Sequence, residues 1–239
     1  VTVFEKEEEP GGQMLLNRGV PGREELSGHL AWLTAAVTRA GVKLKLGVEA
    51  TPDMVLAEHA DAIIIATGAQ PGLPPIPGIM DSPVVGPYEI IRRSISGIKR
   101  ALVIGGGIRG VGVARLLAER GAEVVLTDTG RDLVTDIGIR SRRFQIGALE
   151  EMPNVTVHLG TTVEELGESS AVLWNNQERW RIDGIDLVVP TRFLLPVTEL
   201  SDALYEHADA PPIYQIGDVC QPRSALEATQ EAAALAHRL

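Results

Sequence analysis

An α/β fold built from two strand–turn–helix–strand units, the second inserted into the first, is what the sequence predicts, and three observations carry it. Residues 101–128 read ALVIGGGIRGVGVARLLAERGAEVVLTD: an apolar run ends in three glycines, a helical stretch follows, and a second apolar run ends in an acid. Two further strand-like runs that end near a glycine, DAIIIATGA at 61–69 and IYQIGD at 213–218, lie far apart on either side of it. Third, aromatic residues make up only 4% of a chain that is 44% hydrophobic, a balance suited to close helix-on-sheet packing by small side chains.

Each element can be justified in turn. Val1 to Glu5 (VTVFE) has the pattern of the second strand of a strand–helix–strand unit, ending in an acid. No first strand or glycine loop precedes it, so the first unit reads as truncated at its N-terminus; a plain edge strand with a charged end is the alternative. Pro10-Gly11-Gly12-Gln13 is a turn signal. Glu24 to Ala40 carries Leu26, Leu30, Leu33 and Val37 at helical spacing and stops before Gly41. Val42 to Leu46 is a short strand. The β-branched run at 61–65 suits a buried central parallel strand, and Pro71 to Gly78 an irregular linker. Asp81 to Ser96 reads as a connection with one helix, Pro87 to Arg93, and Ile137 to Met152 as a helix with arginines on one side. From Val155 to Val189 the runs VTVHL, VEEL, AVLW, RWRI and DLVV suggest a meander completing the second sheet. A last helix is expected from about Pro222 to Leu239, the proline in its first turn. The domains so drawn are 1–92 with 210–239, and 93–209.

The glycines at 105, 107 and 110 have the G-x-G-x-x-G spacing of a dinucleotide-binding loop. Gly105 permits the tight turn, Gly107 lets the backbone approach a pyrophosphate, and Gly110 lets the helix pack close to the strand. The phosphates then face unpaired N–H groups at the positive end of the helix. Asp128, ending the next strand, stands where a carboxylate accepts hydrogen bonds from the adenosine ribose. Spacing alone is weak; the flanking strands, Ala114 and the acid make it a nucleotide-binding reading. Both units are therefore expected to be Rossmann-like.

Composition narrows the partners. A net charge of −10 argues against nucleic acid and anionic membrane, which need clustered Lys and Arg. No apolar stretch reaches membrane-spanning length and nothing resembles a signal peptide, so a cytoplasmic location is expected. One cysteine, Cys220, leaves no disulfide framework or iron–sulfur ligand set; the five histidines lack metal-ligand spacing, so no metal site is expected.

VTVFEKEEEPGGQM, DAIIIATGAQPGLPPIPG, GGGIRG and YQIGDVCQPRSALEATQEAAALA together resemble, over nearly the whole chain, the C-terminal half of one flavoenzyme family. It is that of trimethylamine dehydrogenase, histamine dehydrogenase and bacterial 2,4-dienoyl-CoA reductase, relatives of old yellow enzyme. The resemblance implies a first domain holding the adenosine diphosphate part of FAD, or ADP alone. Glu5 would hold the ribose, Ala66, Thr67, Gly68 and Asp218 would line the pocket, and Gly11, Gly12 and Gly217 join them as candidate cofactor contacts. The second domain would take NAD(H) in preference to NADP(H) at Gly105, Gly107, Gly110 and Asp128, although Arg131 could accept a 2′-phosphate. FMN and a 4Fe–4S cluster would belong to an upstream barrel domain, a partner with the nucleotide cofactors and, among the options left open, a second copy of the chain.

The sequence departs from the pattern at Gly112, where related oxidoreductases place an acid, and no cysteine pair follows Gly11-Gly12. The expected function is electron or hydride transfer between nicotinamide and flavin, within an FAD-dependent oxidoreductase or amine dehydrogenase. The alternative is a non-catalytic ADP-binding structural or interaction module. No acid–base catalyst is named, because the cofactors supply the reactive atoms.

Overall fold

Alternation along the strands decides which faces are covered, and in a computed structural model of the chain it yields two compact units. The structure describes residues 1–239 except Glu24, Ser94 and Ser96 and the side chains of Asn17 and Arg18. Glu24, expected to open the first helix, and Ser94 and Ser96 of the expected connection thus lie outside the described residues. In chain order the elements are β1 (Thr2–Glu5), a 3-10 segment (Gly12–Gly19), α1 (Glu25–Arg39), β2 (Lys43–Leu46), α2 (Pro52–Leu56), β3 (Ile63–Ile65) and β4 (Ala69–Pro71). Then follow α3 (Pro87–Arg92), β5 (Arg100–Ile104), α4 (Ile108–Glu119), β6 (Glu123–Asp128), α5 (Ile139–Glu150) and β7 (Val155–Leu159). The strands β8 (Thr162–Leu166), β9 (Ser170–Trp174), β10 (Arg179–Asp183), β11 (Leu187–Pro190) and β12 (Leu194–Pro196) lead to α6 (Glu199–Tyr205), β13 (Ile213–Gln215) and α7 (Ala225–Ala236).

One unit comprises residues 18–24 and 71–193. Its heart is a four-stranded parallel sheet in the order β11-β5-β6-β7. Successive strand residues point to opposite faces. Ala101, Val103, Val124, Leu126 and Val189 therefore pack under α4, against Val111, Ala114 and Leu117, while Leu102, Val125 and Val188 face the other way. There they meet Val163, Ala171 and Leu173 of a three-stranded antiparallel sheet, β10-β9-β8. The result is three layers: helices, parallel sheet, antiparallel sheet. The expected single meander over 155–189 is corrected here. The first run joins the parallel sheet as β7, the last joins it as β11, and only the three between form a meander. The reason is visible in β11, whose four residues are all buried, as a strand covered on both faces requires.

The other unit comprises 1–17, 25–70 and 194–239. Its strands form parallel pairs, β1 with β2 and β13 with β3, and β12 pairs with β4. Ile63 and Ile65 pack with Leu204 and Val219, while Ile64, pointing to the opposite face, is 48% exposed. The expected strand buried on both faces is thus buried on one. The unit bounds also differ from those drawn from sequence. Residues 71–92 group with the inserted unit because Ile79 and Ile90 are buried in its two cores; 194–209 group with the other because Leu204 is fully buried against Ile63 and Ile65. The last helix starts at Ala225, not near Pro222, because Ser224 and Glu227 form a reciprocal capping box.

Candidate nucleotide-binding site

β5 delivers the chain into Gly105, whose φ of +111° is reserved in practice for glycine, and Gly107 is the N-cap of α4. A side-chain carbon at Gly110 would lie 1.7 Å from the Gly105 carbonyl oxygen, so the helix can approach the strand this closely only without one. The Thr191 hydroxyl, just past β11, lies 3.0 Å from the carbonyl oxygens of both Ile104 and Gly105 and so ties down the strand end. Arg109 donates to the Thr191 carbonyl at 2.8 Å, with its guanidinium 5.7 Å from the centre of the Tyr88 ring.

The amides of Gly106 and Ile108 are not bare, which corrects the expectation drawn from the glycines. Asp128, at the end of β6, has a side chain only 2% exposed. It accepts from the Gly106 N–H at 2.5 Å, from the Gly130 N–H at 2.6 Å and from Arg192 at 3.1 Å. Asp136 places its two carboxylate oxygens 3.0 and 3.1 Å from the Ile108 nitrogen, the first amide of α4. The physical cause is the connection between β6 and α5, which folds back over the loop: Val134, fully buried, donates its N–H to the Gly106 carbonyl at 2.7 Å. Of the side chains at this turn, Asp128 was named from the sequence, and Asp136, Thr191 and Arg192 were not. Thr191-Arg192 had a signal, standing at the carboxyl end of an all-apolar run; Asp136, in a connection without periodicity, had none. The cation paired with Asp128 is Arg192. At Gly112 a side-chain carbon would lie 2.7 Å from a Val20 methyl, so a valine fills the space an acid would need.

In the other unit, the expected residues stand at carboxyl ends of strands. Ala66, Thr67 and Gly68 follow β3, and Gly217 and Asp218 follow its parallel neighbour β13, with Ile65 opposite Gln215, so these two groups lie side by side. Thr67 donates to the Val197 carbonyl at 2.6 Å, and Gly68 has φ +77°. Asp218 accepts from the Arg223 N–H at 3.0 Å, and Gln13 donates to the Ala69 carbonyl at 2.9 Å. The Gly217 N–H is held by Glu231 at 2.7 Å, whose carboxyl that bond and Arg223 keep below the usual range. Glu5 ends β1 and accepts from the Glu7 N–H at 3.0 Å. Gly11 and Gly12 both have positive φ, and Gly12 opens the 3-10 segment. Cys220 is exposed, and partial desolvation followed by the Glu231 carboxylate push its thiol up, which disfavours a thiolate. Among the described residues no helix is long and apolar enough to cross a membrane.

A parallel sheet with a glycine turn, a helix packed through Gly110 and an acid closing the second strand is a Rossmann-like arrangement, and residues 3–191 match one family over their whole length. The chain belongs to the pyridine nucleotide-disulphide oxidoreductase family. It is an oxidoreductase-family chain with the family's FAD/NAD-binding fold. It is 33% identical to the NADH oxidase of Thermoanaerobacter brockii over 146 residues, 59% of this chain and 22% of that protein. The fold superposes with a TM-score of 0.90 on 2-naphthoyl-CoA reductase in complex with 2-naphthoyl-CoA, at 26% identity, covering all of this chain and 36% of that one. Histamine dehydrogenase from Rhizobium sp. 4-9 also gives 0.90, at 19% identity, over all of this chain and 40% of that one. The chain thus spans well under half the length of these oxidoreductase relatives.

Proposed function

We propose that the chain is the nucleotide-handling portion of a larger flavin-dependent oxidoreductase of the trimethylamine dehydrogenase, histamine dehydrogenase and 2,4-dienoyl-CoA reductase group. The observation that carries this is the superposition of the whole of this chain on 2-naphthoyl-CoA reductase, and the Gly105–Gly110 turn with its helix agrees with it. In the first unit Glu5, Gly11, Gly12, Ala66, Thr67, Gly68, Gly217 and Asp218 would hold FAD through its adenosine diphosphate part, or ADP alone. In the second, Gly105, Gly107, Gly110 and Asp128 would hold NAD(H). The groups present fit this in part: glycine surfaces for close approach and carboxylates for sugar hydroxyls are there, but Asp136 stands on the α4 amide.

Bound together, FAD and NADH supply a hydride acceptor and a hydride donor. The chain's own contribution is placement. With a dinucleotide bound, the α4 N-terminus would orient its diphosphate and the Asp128–Arg192 pair would stand at the adenosine ribose, while Thr191 keeps the loop against the strand end. With Asp128 already paired to Arg192, its charge rejects a 2′-phosphate less than a bare acid would, yet among the described residues no second cation pairs with it; NADH stays the proposed partner. FMN and a 4Fe–4S cluster would sit in an upstream barrel, the proposed protein partner along with a second copy of the chain.

A second reading, a non-catalytic ADP-binding module, is favoured by one observation, the occupation of the Ile108 amide by Asp136. The test is spectroscopic. Chain reconstituted with FAD is expected to keep flavin absorbance through gel filtration and to bleach on anaerobic addition of NADH. Retention of ADP with neither flavin retention nor bleaching would decide for the module.

A further inference from the structure

The glycine cradle of the second unit is filled by the chain itself. A side-chain carbon built on Gly107 would lie 2.7 Å from an Asp136 carboxylate oxygen, and one built on Gly106 would lie 2.5 Å from a Leu133 methyl. Two glycines that leave room for close approach therefore hold a carboxylate and an isobutyl group. Asp136 does more than occupy space, since both its oxygens lie within hydrogen-bond distance of the Ile108 nitrogen. An anionic side chain and a phosphate oxygen compete for the same partial positive charge at a helix start, so the two cannot be seated there together.

The connection that carries Asp136 is latched at several points. Val134 donates to the Gly106 carbonyl at 2.7 Å, Arg142 donates to the Leu133 carbonyl at 2.8 Å, and Arg142 also pairs with Asp132 at 3.1 Å. Val134 holds φ +53°, in the left-handed region that a β-branched residue rarely adopts. Strain of this kind persists only where surrounding contacts over-determine it, and it is released when the latch opens.

We propose that Asp136 is a built-in competitor of the dinucleotide's diphosphate: the second unit rests self-capped, and a dinucleotide enters as residues 129–138 swing the carboxylate off α4. This rests on reading the Gly105–Gly110 loop as a nucleotide seat. Affinity is then lowered by the fraction of molecules whose seat is closed, and weakening the cap raises it.

NADH itself is the probe, titrated by its fluorescence into the full chain, D136A, D136N and the double variant G107V/D136A. D136A is expected to bind at least tenfold tighter than wild type. D136N is expected in between, because its amide oxygen still accepts from Ile108 but carries no charge. Without ligand D136A should melt earlier, and with NADH it should gain more in Tm than wild type. In G107V/D136A the gain should vanish, because the valine refills the seat. Equal or weaker binding by D136A and D136N, or a gain that survives in the double variant, overturns the inference and leaves the proposed function standing. No NADH binding by any of the folded single variants overturns the nucleotide seat itself, and the inference with it. Should D136A fail to fold, the near-isosteric D136N decides by the same criterion.

Discussion

At the scale of single residues, the glycines of one loop have separate physical jobs, and the structure tells them apart. Gly105 is needed for its backbone angle and Gly110 for space, whereas Gly107 has an ordinary φ of −70° and would accept a side chain but for Asp136. Gly110→Ala is therefore expected to destabilise the chain by about 3 kcal/mol, the upper end of what over-packing costs, since the added carbon must be moved from 1.7 Å off a backbone oxygen. Urea denaturation read by circular dichroism checks it; an unchanged midpoint would refute the close approach. Asp128 shows where residue-scale reading of sequence stops. Its place at the end of a strand was legible from pattern, but its three donors were not, because the Gly130 turn lies in a segment without periodicity and Arg192 reaches it from a strand end 64 positions away.

Among elements, legibility followed how strongly local pattern and burial agree. β5, α4 and β6 were readable almost to the residue because apolar runs, a glycine turn and helical spacing coincide within 28 positions. The pairing of β7 and β11 was not, because parallel partners lie far apart in sequence and short apolar runs carry no register signal. The capping box at Ser224 and Glu227 was legible in principle as S-x-x-E, and it outweighed the proline that had suggested an earlier start. One element also sets a pH response. His158 of β7, with its ring 5.4 Å from that of Trp180, has its pKa lowered from 6.5 by burial. The unfolded chain then binds more protons than the folded one below pH 6.5, so stability rises with pH through that window and falls as the solution is acidified. The Tm is expected to drop between pH 6.5 and 5 by more in wild type than in His158→Gln. An identical drop in both would assign the acid sensitivity elsewhere.

For the whole molecule, the two-unit plan with one inserted in the other was visible from three glycine-ended runs, and its bounds were not. Residues 71–92 and 194–209 changed sides because single buried side chains, Ile79, Ile90 and Leu204, decide where a connection packs, and such choices leave no periodic trace. The family match and the superpositions supply what pattern lacked, the larger architecture in which these units recur. In the proposed function, the turn at Gly105 to Gly110 receives a nucleotide diphosphate. Backbone amide NMR of the deuterated chain during titration with NADH tests this most directly. Saturable shifts are expected to centre on Gly106, Gly107 and Ile108, spreading to Val134 and Asp136 as the connection moves away. Saturable shifts confined to other segments, with these amides unmoved, would contradict it.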